Sequence, residues 1–234
     1  ITMLPNGPHV KSVVLGESGL ASYMKEGNLL IDMSSIAPGV SKELESILSP
    51  KGIHMVDAPV SGGEPKAADG TLAIMVGGKE EDFERAKPYF DILGSSAVLV
   101  GPIGSGNTCK LTNQMIVAVN IAVLAEGLQL AKRAGADTQK VFDAIKGGLA
   151  GSTVMNAKAP MMLAGNYQPG FKIDLHIKDL TNAMDTGYAT NTPMPLTAEV
   201  MQMFQVLKAD GCGQEDHSAL EKYYEKLTGT KVGE

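Results

Sequence analysis

Between residues 29 and 101, short apolar runs alternate with longer segments of helical spacing. Leu29-Leu30-Ile31-Asp32-Met33 ends in Ser34-Ser35, and 53–56, 72–76 and 97–100 read the same way, as buried strands. Residues 39–48 and 80–93 place apolar residues three and four apart with charged faces between them, the helical period. The alternation predicts an α/β architecture with a mainly parallel sheet. Ligands in such sheets bind in loops beyond the carboxyl ends of strands, where Ser34-Ser35 and Ser61-Gly62-Gly63 fall.

From Gly106 onward the strand pattern stops. Residues 107–134 predict one long helix ending at Gly135, roughly 40 Å at 1.5 Å per residue. Asp137 or Thr138 caps the next, running to about Lys146. Further helical segments cover 156–163, 172–188, 195–209 and 218–227. The expected domains are 1–103, α/β, and 104–234, all-α, with a ligand cleft at the junction. The apolar stretch 115–125 is broken by Asn120 and followed by Glu126, short of the ~20 residues a membrane span needs. It reads as a buried core helix.

Composition narrows the function classes. A 234-residue chain with 44% hydrophobic residues suits a globular protein of one or two domains. A net charge of -6 argues against nucleic acid as a partner. Cys109 and Cys212 form no metal or redox motif, which suits a reducing cytoplasm. With no secretory leader pattern, the expected location is cytoplasmic, with no membrane partner.

Three places carry candidate chemistry. Lys110 follows the glycine-rich turn Gly104-Ser105-Gly106 at the start of the long helix. The positive end of a helix is an unfavourable place for a cation, so burial and the dipole should lower its pKa and fit it to move a proton. Asn113 and Gln114, three and four residues on, share its face, and either amide can hold a substrate oxygen. The competing reading is a solvated surface lysine. Ser61-Gly62-Gly63 offers a hydroxyl and successive amides for an anion, against an ordinary turn. Lys178, beside Asp179, reads either as a cleft cation or as a surface ion pair. His176 is a lone histidine, the acidic residues form no metal cluster, and no metal is expected. The methionines at 155–162 and 201–203 read as core.

Taken together, these motifs resemble the β-hydroxyacid dehydrogenase family, related to 3-hydroxyisobutyrate dehydrogenase. The resemblance rests on Met3-Leu4-Pro5-Asn6, on Ile31 through Pro38, on Asp57-Ala58-Pro59-Val60-Ser61-Gly62-Gly63 with Ala67 and Gly70, on Gly104 through Gln114, and on Phe171 through Leu180. Gly147 through Val154 and Asp216-His217-Ser218-Ala219-Leu220 are similar to the tartronate semialdehyde reductase branch and less so to the 3-hydroxyisobutyrate branch.

The resemblance implies a Rossmann-type domain followed by an all-α domain of the 6-phosphogluconate dehydrogenase C-terminal type, with NAD or NADP and substrate between them. It implies Lys110 as catalytic acid/base, with Ser61, Gly62 and Gly63 holding a substrate carboxylate and Asn113 or Gln114 contacting substrate. Leu4, Pro5, Asn6, Ser35, Phe171 and Lys178 would touch the cofactor. The implied substrate is a small 3-hydroxy or 3-oxo acid from sugar-acid or glyoxylate breakdown, and the implied assembly a homodimer or homotetramer. The alternatives are 3-hydroxyisobutyrate or 4-hydroxybutyrate dehydrogenase activity, or a non-catalytic oligomerisation module. Family members open with a strand and a G-x-G-x-x-G turn, whereas Gly101-x-x-Gly104-x-Gly106 lacks that spacing. The expectation is that roughly sixty residues, with the first strands and the residue choosing NAD or NADP, belong ahead of Ile1. Without them the chain is expected to bind dinucleotide poorly.

Overall fold

The computed structural model describes residues 1–233, in two compact units. The first comprises Ile1–Asn113 with Asp185–Thr192, the second Gln114–Met184 with the chain from Pro193 onward.

The first unit runs α1 (Gly7–Leu15), β1 (Leu29–Asp32), α2 (Pro38–Leu48), β2 (His54–Asp57), β3 (Val60–Ser61), α3 (Gly63–Ala68), β4 (Leu72–Gly77), α4 (Glu80–Leu93), β5 (Gly94–Gly101) and the start of α5 (Ser105–Arg133). The sheet is mixed rather than mainly parallel. β1–β2 and β4–β5 are parallel, but β4 runs antiparallel to β2 and β3. The registers Asp57↔Gly77, Val60↔Ile74 and Ser61↔Ala73 make β2 and β3 successive pieces of one extended run. Only Gly62 separates that run from α3, and α3 with its flanking turn is too short to span the sheet, so the chain returns alongside as β4. Periodicity reveals that these segments are strands but not their relative direction.

Alternation along β1 and β2 sends residues to two cores. Leu30 and Met55 join Val10, Val14, Leu44 and Leu48 of α1 and α2. Ile31 and Val56 join Ile74, Val76 and Phe90 of β4 and α4. Both faces of the sheet are therefore covered, which explains the near-continuous apolar runs. Helix α1, absent from the sequence-based expectation, carries a signal there: Asn6 Oδ1 caps it by accepting from His9 N–H at 3.2 Å, with Pro8 in its first turn.

The second unit holds the rest of α5, then α6 (Thr138–Ile145), α7 (Thr153–Ala164), most of α8 (Ile173–Thr190), α9 (Pro195–Ala209) and α10 (Glu221–Thr228). Asp137 caps α6. The expected helix at 218–227 is a tight turn at His217–Leu220 followed by α10. Helix α5 is long and apolar enough to cross a membrane by length and composition alone. Its apolar residues instead form one side of a packed core, with Ala118, Ile121, Ala125 and Leu128 buried against Leu180, Phe204 and Leu207. Met155 and Met162 are buried in that core, and Met201 and Met203 pack against it.

Candidate active site

In the first unit, two ledges lie beyond the carboxyl end of β1. Thr2 bridges Asp32 in parallel, so the chain leaving Thr2 as Leu4-Pro5-Asn6 runs beside Ser34-Ser35. Leu4 N–H donates to Ser34 Oγ at 2.9 Å. Asp32 Oδ1 accepts from Thr2 Oγ1 (2.9 Å) and from Ser34 Oγ (2.6 Å). Burial pushes the Asp32 carboxyl above its ordinary range, against the pull of these donors. The candidate cofactor residues Leu4, Pro5, Asn6 and Ser35 are thus held on adjoining loops at the strand ends, where an α/β sheet receives a ligand. That arrangement fits a dinucleotide.

Along the neighbouring strand, β3 ends at Ser61, and Gly62 and Gly63 follow with φ of +142° and +68°, backbone that L side chains rarely adopt. Four residues before Ser61, Asp57 is fully buried. Its Oδ1 accepts from Gly104 N–H and its Oδ2 from Asn107 N–H, both at 2.7 Å. This carboxylate takes the positive end of α5, so the helix start that precedes Lys110 is capped by a charge. Desolvation nevertheless raises its pKa to about 6. Lys110, one turn further along α5, is 6% exposed. It is a buried lysine, not the solvated surface lysine of the competing reading.

In the second unit, Gln114 is buried and its Nε2 donates to Asp179 Oδ2 at 2.6 Å. Lys178 Nζ lies 3.1 Å from Asp179 Oδ1. One buried carboxylate therefore holds both candidates. Asn113 is half-buried in the first unit. Phe171 N–H donates to Asp216 Oδ2 at 3.0 Å, and its ring stands edge-on to His176 with centroids 5.7 Å apart. His176 is not alone, as its sequence position suggested: His217 meets it Nδ1 to Nδ1 at 2.9 Å. Asp216, fully buried, also accepts from Lys158 at 2.9 Å. Its carboxyl is held down at about 2 by the His217 charge and by hydrogen bonds, against desolvation.

Sequence reasoning missed Asn107 and the Asp216–His217–Lys158 group. Asn107 stood in the open as the residue directly after the glycine turn. His54, Glu81 and Asp82 bring three possible metal ligands within 4.8 Å of one another, a grouping the sequence did not suggest. Asp82 Oδ1 there already accepts from His54 (2.7 Å) and Arg85 (3.0 Å), and the guanidinium opposes a cation.

Comparison with known proteins agrees with these features. The model for the NAD binding domain of 6-phosphogluconate dehydrogenase matches residues 1–101, and that for the NAD-binding domain of NADP-dependent 3-hydroxyisobutyrate dehydrogenase matches 104–224. The 2-hydroxy-3-oxopropionate reductase of Escherichia coli (strain K12) is 43% identical over 98% of this chain and 79% of its own length. The chain belongs to the β-hydroxyacid dehydrogenase family. The 2-(hydroxymethyl)glutarate dehydrogenase of Eubacterium barkeri is 38% identical over 99% of this chain and 77% of its own length. Among solved structures, Mycobacterium tuberculosis 3-hydroxyisobutyrate dehydrogenase with L-serine superposes with a TM-score of 0.88 at 32% identity, over 95% of this chain and 78% of that one. A Rossmann-like unit followed by helices is the architecture of this family, and its relatives are NAD(P)-dependent oxidoreductases acting on CH–OH groups.

Proposed function

We propose that the protein reduces tartronate semialdehyde (2-hydroxy-3-oxopropanoate) to D-glycerate with NADH or NADPH. The observation that carries this reading is a buried lysine in the second turn of α5, a helix whose start is gripped by the strand that runs on to Ser61-Gly62-Gly63. The 43% identity to 2-hydroxy-3-oxopropionate reductase supports the substrate.

In this reading the nicotinamide supplies a hydride to the aldehyde carbon. Lys110 gives a proton to the oxygen of that carbonyl as the C–H bond forms, and takes it back in the reverse direction. The Ser61 hydroxyl and the amides at Gly62 and Gly63 hold the substrate carboxylate, which sets the aldehyde at a fixed distance from them. Gln114, braced by Asp179, and Asn113 line the approach to the substrate hydroxyl. We assign Leu4, Pro5, Asn6, Ser35, Phe171 and Lys178 to cofactor binding. Residues 1–103 are assigned to a Rossmann-type NAD(P)-binding domain that also carries Ser61-Gly62-Gly63, and 104–234 to an all-α domain for substrate and self-assembly. Exposed Ile116, Val123 and Leu130, seven residues apart on α5, support a homo-oligomer.

The test follows NADH and NADPH oxidation with tartronate semialdehyde, beside NAD(P) reduction with 3-hydroxyisobutyrate and 4-hydroxybutyrate. The expected result is a kcat/KM at least about tenfold higher for tartronate semialdehyde. The opposite order moves the activity to another branch of the family. No turnover with any of them favours the non-catalytic module.

A further inference from the structure

Helix α5 begins against the sheet without side chains between them. A Cβ on Gly106 would lie 2.4 Å from the Asp57 carbonyl oxygen and 2.5 Å from that of Met75, and one on Gly77 would lie 2.3 Å from Asp57 Oδ1. Backbone meets backbone here, and Asp57 ties them with one oxygen for Gly104 N–H and the other for Asn107 N–H. Asn107 is itself fully buried. Its Oδ1 accepts from Ile36 N–H at 3.0 Å, and its Nδ2 donates to Ser41 Oγ at 3.2 Å. The loop after β1, helix α2, the end of β2 and the first turn of α5 thus meet in one dry polar knot. Asp57 fixes where the helix starts. Asn107, bonded on two sides, fixes its rotation about its own axis. Lys110 lies three residues on, on the face that Asn107 sets.

We propose that Asp57 and Asn107 are positioning residues for Lys110, holding the start of α5 so that the lysine Nζ meets the substrate oxygen in one geometry. This rests on Lys110 being the acid/base of the proposed reaction. A buried knot of this kind has no water to replace a lost partner, so losing one bond shifts the helix rather than being repaired by solvent. An error of about 1 Å at a reacting group is enough to cost on the order of 10²-fold in rate.

The test is a double-mutant cycle on kcat, measured well below each variant's Tm. Asn107→Ala is expected to lower kcat by about 10- to 100-fold while the dissociation constant for NAD(P)H stays within about threefold. In a Lys110→Ala background, Asn107→Ala should cost nothing further, because the group it positions is gone. Hydrogen exchange supplies a readout without turnover: amides 104–110 should exchange at least about tenfold faster in Asn107→Ala. If Asn107→Ala does not fold, Ser41→Ala removes only the acceptor of Asn107 Nδ2, and a loss of about three- to tenfold in kcat should likewise vanish in the Lys110→Ala background. Equal losses in both backgrounds, wild-type kcat in Asn107→Ala, or unchanged exchange overturns the positioning role and leaves Lys110 as acid/base. Wild-type turnover by Lys110→Ala overturns both.

Discussion

The imidazoles of His176 and His217 face each other Nδ1 to Nδ1 at 2.9 Å. On its other side His176 Nε2 lies 3.1 Å from the carbonyl oxygen of Gln114, which can only accept. Nε2 therefore carries a hydrogen, Nδ1 of the neutral ring is the acceptor, and His217 Nδ1–H is the donor. Burial holds the His217 pKa well below its ordinary value. The pair forms a directed chain from His217 through His176 to the Gln114 carbonyl.

That direction predicts opposite tautomers for the two rings. Nitrogen NMR should find His176 as the Nε2–H form and His217 as the Nδ1–H form at pH 7. The same tautomer in both would contradict the geometry. Replacing His176 with Phe takes away the partner of the buried His217 Nδ1 and should cost about 1–3 kcal/mol in urea unfolding.

Stability should respond to pH through two groups of opposite sign. Burial, and next a hydrogen bond with Glu225, raise the Glu221 pKa from 4.5 to about 7. Across that window the folded state holds a proton that the unfolded state has lost, so stability falls as pH rises. His217 acts the other way: below its unfolded value of 6.5 the unfolded state holds the extra proton, and stability falls as pH drops. In Glu221→Gln the amide oxygen can still accept from Gln129, and its NH₂ can donate to Tyr167. This variant should therefore gain on wild type more at pH 8 than at pH 5. Urea midpoints at the two pH values decide it, and an equal offset at both rules out the titration.

Lys110→Ala should lower kcat by roughly 10²–10⁴-fold, the range of a general acid–base group, with cofactor affinity little changed. Stopped-flow hydride transfer and a fluorescence titration of NAD(P)H separate the two quantities.

Two glycines in first turns of helices should behave oppositely. Gly106→Ala drives a methyl into two backbone carbonyls that cannot yield, and should cost about 3 kcal/mol or more. At Gly39, in α2, the added methyl meets open space, and Gly39→Ala should gain from a few tenths to about 1 kcal/mol. Thermal melts of the two variants should move in opposite directions.

On α5, Ile116, Val123 and Leu130 are 58%, 61% and 71% exposed in the single chain. If this stripe pairs copies, Leu130→Glu should shift the mass measured by light scattering toward the monomer without lowering the melting temperature at high dilution. An unchanged mass separates the stripe from assembly.

Local pattern carried much of the architecture. The helix at 195–209 and that at 80–93 are found with the expected bounds, because each has a clear 3.6-residue period and a proline or glycine at its edge. The strands at 29–32 and 72–77 were visible as apolar runs, and Lys110 was visible because a glycine turn precedes it. The family itself was legible in five short motifs in order. The antiparallel β4 was not, since the period of a strand is the same in either direction.

The chemistry divides along the same line. The amino-acid sequence alone determined which residues are available: a lysine after a glycine turn, a serine before two glycines, an amide one turn on. Only the tertiary structure decided what holds them. Asp57 caps α5 across 47 and 50 residues of sequence, and His217 reaches His176 across 41. A buried hydrogen bond at such separation leaves no periodicity behind. Its partners are chosen by where packed backbones leave a donor or acceptor unpaired, and that becomes known only when the chain has closed around it.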